Sequence, residues 1–149
     1  MIPPSKLRIE KTLSQNDLGL TGGHQAGIHV PKDESILSCL PKLNPQEHNP
    51  RKELHLEDSS DRRSWSANLI YYNNIFRGGT RNEYRITGLT AYMRSKAAAP
   101  GNILFLERIA DTRYIIGIEE QQNFTNSDSD LRSTTVFVSR SWINRGSAK

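Results

Sequence analysis

Residues 103–118 read ILFLERIADTRYIIGI, and this stretch decides the fold class. Two apolar runs rich in branched and aromatic side chains, 103–109 and 113–118, flank the short turn Ala110-Asp111-Thr112. Runs of that length and composition around a short polar break predict a β-hairpin. Outward from it, residues 7–13 (LRIEKTL) and 53–57 (ELHLE) alternate apolar and charged positions, the period of a half-buried strand. Residues 66–72 (SANLIYY) add an aromatic and branched strand, 25–30 a short strand stopped by Pro31, and 134–138 (TTVFV) a final one. Residues 35–40 predict a short helix, opened by Lys32-Asp33-Glu34 and ended by Pro41. Residues 90–93 predict a short strand or a helical turn. Seven or eight short strands with at most two short helices point to a β-rich barrel or open barrel.

The segments between these elements differ in character. Residues 14–27 (SQNDLGLTGGHQAG) hold four glycines and little apolar periodicity. Long loops of this kind in a compact domain often carry function. Residues 42–50 form a turn-rich connection with two X-Pro steps, and 139–149 read as a frayed basic tail or linker.

At 149 residues the chain predicts a single domain large enough for one core. One cysteine, Cys39, excludes an internal disulfide and a cysteine-based zinc cluster; a buried inert thiol is the expectation. The N-terminus has no apolar stretch of a secretory signal, and the longest apolar run, 103–106, is far short of a membrane span, so an intracellular protein is expected.

Charge is more informative. The chain carries 20 basic and 16 acidic residues. Residues 77–96 hold five of the basic ones (Arg77, Arg81, Arg85, Arg94, Lys96) and one acid, Glu83; the other 129 residues carry 15 of each sign. The whole net charge of +4 thus sits in one window, which suggests a polyanion contact. Within it, 77–87 reads RGGTRNEYRIT. If residues 80–85 are extended, Arg81, Glu83 and Arg85 share a face, with heads roughly 7 Å apart. Arginine pairs bidentately with guanine and a carboxylate accepts from cytosine N4, so this pattern can read G and C edges in a major groove. The same three residues could equally form a surface ion cluster worth little. The Gly78-Gly79 pair favours a projecting segment. In the glycine-rich loop, Asn16, Asp17, His24 and Gln25 are residue types that read base edges or phosphates. Tyr71, Tyr72, Tyr84 and Tyr92 flank the basic segment and could stack bases, although strand alternation buries either Tyr71 or Tyr72.

Other chemistries find little support. His24 and His29 fall on opposite faces if extended and have no carboxylate beside them, which disfavours a metal pair. No Glu-x-Lys or Asp-x-Lys occurs, so a Mg²⁺-dependent nuclease site is unsupported. Neither a phosphate-binding GK[ST] nor a Gly-x-Ser-x-Gly is present.

Residues 13–31 (LSQNDLGLTGGHQAGIHVP) and 67–87 (ANLIYYNNIFRGGTRNEYRIT) resemble the N-terminal DNA-binding domain of EcoRII-type restriction endonucleases. The resemblance implies a mainly β, B3-like seven-stranded open pseudobarrel with one or two short helices over residues 1–140, followed by a tail or linker over 141–149. It implies two arms that grip duplex DNA from the major groove. Ser14, Gln15, Asn16, Asp17, Thr21, Gly22, Gly23, His24 and Gln25 fall in the N-terminal arm. Arg77, Gly79, Thr80, Arg81, Asn82, Glu83, Tyr84 and Arg85 fall in the C-terminal arm. The family pattern has lysine at Gly79 and Tyr84, so two positive charges are missing here. By this resemblance the chain is a monomeric, cytoplasmic, bacterial effector module that binds a short near-palindrome such as CC(A/T)GG. It has no catalytic residues, metal or cofactor of its own; Mg²⁺ would serve only a separate, covalently linked nuclease domain. A catalytic nuclease with an unrecognised site, and a protein-interaction barrel with a basic docking arm, are the alternatives left open.

Overall fold

The structure, a computed structural model, describes residues 7–20, 27–121 and 142–145. Eight strands form one sheet: β1 (Leu7–Thr12), β2 (Ile28–Val30), β3 (Arg51–Asp58), β4 (Ser64–Tyr72), β5 (Glu83–Thr87), β6 (Ile103–Ala110), β7 (Arg113–Glu119) and β8 (Trp142–Asn144). Two short helices, α1 (Glu34–Leu37) and α2 (Thr90–Ser95), and a 3-10 turn, Asn74–Arg77, complete it. The order across the sheet is β2-β5-β4-β3-β7-β6-β1-β8. The β3–β7 pairing is parallel, with Leu56 opposite Tyr114, and the other described pairings are antiparallel.

The sheet curls so that its two edge strands approach each other. Trp142 Nε1 donates to the carbonyl of His29 at 3.0 Å, joining β8 to β2 across the seam. Asn144 Nδ2 donates to the Ser35 carbonyl at 2.7 Å, which brings α1 against the same edge. The barrel is therefore nearly closed, with side chains rather than a strand ladder at the seam. Its interior follows from alternation along the strands. Ile9, Leu54, Leu56, Leu69, Ile86, Leu104, Leu106 and Ile116 point inward and are buried, joined by Ile36 of α1 and Tyr92 of α2.

Several expectations change. The segment 90–93 is helical, and α2 extends to Ser95, with Tyr92 and Met93 facing the core. The first helix starts at Glu34, capped by Asp33, whose carboxylate accepts from Ser35 N at 2.9 Å, and it ends at Leu37, beyond which the bonds tighten to Cys39 N on the Ile36 carbonyl and Leu40 N on the Leu37 carbonyl. Residues 142–144, expected in a tail, form β8 against β1, and Trp142 is buried. The domain thus extends past residue 140. The strand expected at 134–138 lies outside the described residues, as do 21–26 of the glycine-rich loop. Cys39 is buried, and burial pushes its thiol up from the ordinary value.

Asp58, at the end of β3, ties α2 to the sheet. Its carboxylate accepts from Tyr92 Oη at 2.5 Å, Lys96 Nζ at 2.9 Å, Ser60 Oγ at 2.6 Å and two backbone amides. Burial alone raises its pKa, but the hydrogen bonds from Lys96, Ser60, Tyr92 and Asp61 N outweigh this and hold it well below the usual carboxylate range. A folded-state pKa below the unfolded one adds stability above the unfolded value, about 3.9, and loses it as pH falls further. Asp58→Asn is expected to cost about 2–3 kcal/mol at pH 7 and to flatten the loss of stability below about pH 4, read by chemical denaturation across pH.

Candidate nucleic-acid interface

The basic arm grows from the end of β4. Asn73 is almost fully buried there and acts as a stitch. Its side-chain amide donates to the Glu47 carbonyl at 2.7 Å, and its Oδ1 accepts from Asn49 N at 2.9 Å. His48 Nε2 meets Asn74 Oδ1 at 2.7 Å, and Arg77 donates to the Gln46 carbonyl at 3.2 Å. The X-Pro connection 42–50 is therefore a buttress for the arm, a role the sequence reading did not assign. The 3-10 turn ends at Gly78, whose φ of 90° is left-handed and favours glycine. Gly79 packs so close to Asn74 that a Cβ would lie 2.9 Å from the Asn74 Cβ. A lysine at this position would press on that contact, whereas glycine lets the chain turn back toward β5.

The strand begins at Glu83, later than expected, yet Arg81, Glu83 and Arg85 do meet. Arg81 Nε reaches Glu83 Oε2 at 2.8 Å, and Arg85 Nε reaches the same oxygen at 3.2 Å. The two guanidiniums converge on one carboxylate instead of standing apart along a strand. Burial works against the charge of Glu83, but hydrogen bonds from Arg85 and Arg81 prevail and lower its pKa. The two arginines are not equivalent. The Arg81 side chain is 41% exposed and its guanidinium lies 3.8 Å from the Tyr72 ring centroid. The Arg85 side chain is only 12% exposed and also donates to the Gly27 carbonyl at 3.2 Å.

Behind this face lies an aromatic layer. Tyr71 and Tyr84 stack at 4.4 Å with planes 9° apart, and Tyr71 Oη donates to Asn82 Oδ1 at 2.6 Å. Tyr71 is buried and Tyr72 half-buried, the division that alternation demands. Tyr84 alternates with Glu83 and Arg85, so it lies on the other side of β5 and lines a groove with Leu37 and Leu43. That placement puts it on the side of β5 opposite the arginine cluster. Asn82 is held by Tyr71, whereas Thr80 and Gly79 are exposed.

In the other arm, Ser14 and Asp17 bond reciprocally. Ser14 N donates to Asp17 Oδ2 at 3.0 Å, and Asp17 N donates to Ser14 Oγ at 3.1 Å. Lys11 Nζ binds the same carboxylate oxygen at 2.5 Å, and both side chains are nearly buried. Asp17, expected among the base-reading residues, is thus bonded at the root of the arm. Gln15 and Asn16 are exposed at the turn. Thr21, Gly22, Gly23, His24 and Gln25 lie outside the described residues. Gly27 ends the arm with φ 84°, where a Cβ would collide with the Ile86 carbonyl. No motif or charge pattern singles out Lys11, Asn73 or Gly27, so only their partners across the fold mark them.

The sequence-family model for the restriction endonuclease EcoRII N-terminal region matches residues 4–106, more than half the chain. The chain belongs to the EcoRII N-terminal family. Its likeness to the Escherichia coli type II restriction enzyme EcoRII is 44% identity over 79 residues, 52% of this chain and 19% of that protein. The match thus spans about a fifth of the relative's length. The EcoRII N-terminal fold is B3-like. The UbaLAI restriction endonuclease B3 domain, solved with cognate DNA, superposes with a TM-score of 0.55 at 19% identity, covering 95% of this chain and 87% of that one. The Arabidopsis FUS3–DNA complex superposes with a TM-score of 0.56 at 16% identity, covering 76% and 96%.

Gly27 joins the two arms of this EcoRII N-terminal domain, since its carbonyl holds Arg85 and its φ sets the return of the first arm. Gly27→Ala is expected to lower stability by about 2 kcal/mol or more, read from the denaturation midpoint.

Proposed function

We propose that this domain binds duplex DNA sequence-specifically as the recognition module of an EcoRII-type restriction enzyme, reading a short near-palindrome such as CC(A/T)GG through two arms in the major groove. The observation that carries this is the Arg81–Glu83–Arg85 cluster: two guanine-type donors and one cytosine-type acceptor gathered on a single half-buried carboxylate beside the root of the second arm. Each of these groups is already desolvated in part and oriented, which reduces the ordering cost of binding.

The charge layout supports the same direction of approach. On the outer face of β1, β6 and β7, Arg8 is ringed by Glu10, Glu107 and Glu119, at 2.8, 2.9 and 3.2 Å. Arg145 pairs with Glu10 there as well, at 3.2 Å, so the cations of that face are already matched by carboxylates. The arm side holds the basic excess. Arg81 is the principal guanine reader, because it is the more exposed and is held over Tyr72 in an extended pose. Arg85 follows only if its bond to the Gly27 carbonyl loosens. Glu83 accepts from cytosine N4 or orients the arginines. Arg77 and Thr80 lie along the exposed edge and suit phosphates, while Gln15 and Asn16, with residues 21–25, supply hydrogen-bond specificity from the first arm. The domain itself needs no cofactor and cuts nothing. Cleavage with Mg²⁺ belongs to a linked nuclease domain, and the setting is the bacterial cytoplasm.

Arg81→Ala is expected to cost about 1–3 kcal/mol on the preferred duplex and to relax preference at one base pair. Fluorescence anisotropy titrations with duplexes carrying each single base-pair change check this. Uniform weakening across all duplexes would make Arg81 a phosphate contact instead, and cleavage of the duplex by the isolated chain with Mg²⁺ would overturn the binding-module reading.

A further inference from the structure

His29 stands between the two arms, and neither the arms nor the core account for it. It is the exposed middle residue of β2, flanked by buried Ile28 and Val30. Its cross-strand partner is Arg85. Directly paired residues project to the same face of a sheet, so the imidazole lies one strand over from Arg85 and Glu83, on the face that carries the arginine cluster. Lys11 and Asp17, the ion pair at the root of the first arm, are near enough that their charges, with those of Arg85 and Glu83, act on the ring. The main chain is fixed separately, because the His29 carbonyl accepts the Trp142 indole that closes the barrel. The backbone is thus anchored while the side chain stays exposed on the face that carries Arg85.

We propose that His29 is a third contact of the DNA face, a proton-linked donor to a backbone phosphate that passes between the two arms. This rests on the duplex-binding reading above. The surrounding charges are two cations, Arg85 and Lys11, and two anions, Glu83 and Asp17, each cation already bonded to an anion. Arg81 shares the Glu83 carboxylate, so the cluster as a whole carries one net positive charge, which favours entry of a phosphate. In the free protein, partial burial and then Arg85 hold the imidazole below its ordinary value, Lys11 adds to this, and Glu83 and Asp17 oppose it. The free protein thus carries His29 neutral at pH 7–8. A phosphate oxygen beside the ring raises its pKa, so binding takes up a proton from solution and the new N–H donates to that oxygen. By linkage, affinity rises as pH falls.

The test is anisotropy titration of a short duplex carrying CCAGG at pH 8 and pH 6, each across a salt series. The wild-type chain is expected to bind about three- to tenfold more tightly at pH 6, below the roughly hundredfold ceiling that full uptake of one proton across two pH units would set. Its salt dependence should steepen by about 0.9, one extra phosphate contact. His29→Gln keeps the carbonyl that holds Trp142 and is expected to lose both changes, while His29→Arg should bind with little pH dependence and the steeper slope at both values. A pH response retained in His29→Gln, or abolished by His24→Gln instead, would overturn the assignment. Wild-type binding without a pH response would overturn it as well and leave the duplex-binding reading standing. No wild-type binding to this or to randomised duplexes at either pH would defeat that reading itself.

Discussion

The hydrogen bond from the Trp142 indole to the His29 carbonyl holds together what the strand ladder does not. A twisted eight-stranded sheet that curls on itself brings its edges near each other without pairing them. In this chain β2 and β8 are both three residues long, too short to offer a long unpaired edge. The indole bridges them at 3.0 Å, and Trp142 is buried in doing so. Through β2 the seam also places Gly27, whose carbonyl holds Arg85, and through β1 it places Lys11, which holds Asp17. The roots of both arms are thereby referred to the same few strands.

Each arm is supported in a different way. The basic arm is braced from outside, by Asn73 and the connection 42–50, and from beneath by the Tyr71–Tyr84 stack. The described ends of the glycine-rich arm are held by the Ser14–Asp17–Lys11 knot and by the left-handed turn at Gly27. A rigid charged arm with a preset carboxylate between two guanidiniums suits base reading, where angular precision matters. A nearly uncharged arm adds hydrogen bonds without adding indiscriminate attraction.

Much of the barrel was legible because β3, β4, β6 and β7 are long enough to express the period of two, and the hairpin 103–118 marks its own turn. β8 was not, because three residues in a small, basic segment show no period; only their partners on β1 make them a strand. The helix α2 was ambiguous for a related reason: six residues hold less than two turns, and adjacent Tyr92 and Met93 fit either period. In the candidate site, the association of Arg81, Glu83 and Arg85 was readable from spacing, although Arg81 reaches Glu83 from outside the strand. The placements of Asp17 and Tyr84 were not readable. That of Asp17 is set by Lys11, six residues away in sequence and placed beside it by the turn, and that of Tyr84 by the side of β5 on which it falls. The buttress of Asn73 on residues 45–49 likewise depends on a contact across more than twenty residues.

The central claim is that a barrel-mounted pair of arms reads a short duplex sequence. Selection from a pool of randomised duplexes by the intact chain, followed by sequencing of the bound fraction, tests it most directly. The account predicts convergence on a short near-palindrome with G and C at the positions facing Arg81, Glu83 and Arg85. A bound pool with no enriched sequence, or no retention of duplex at moderate salt, would contradict it.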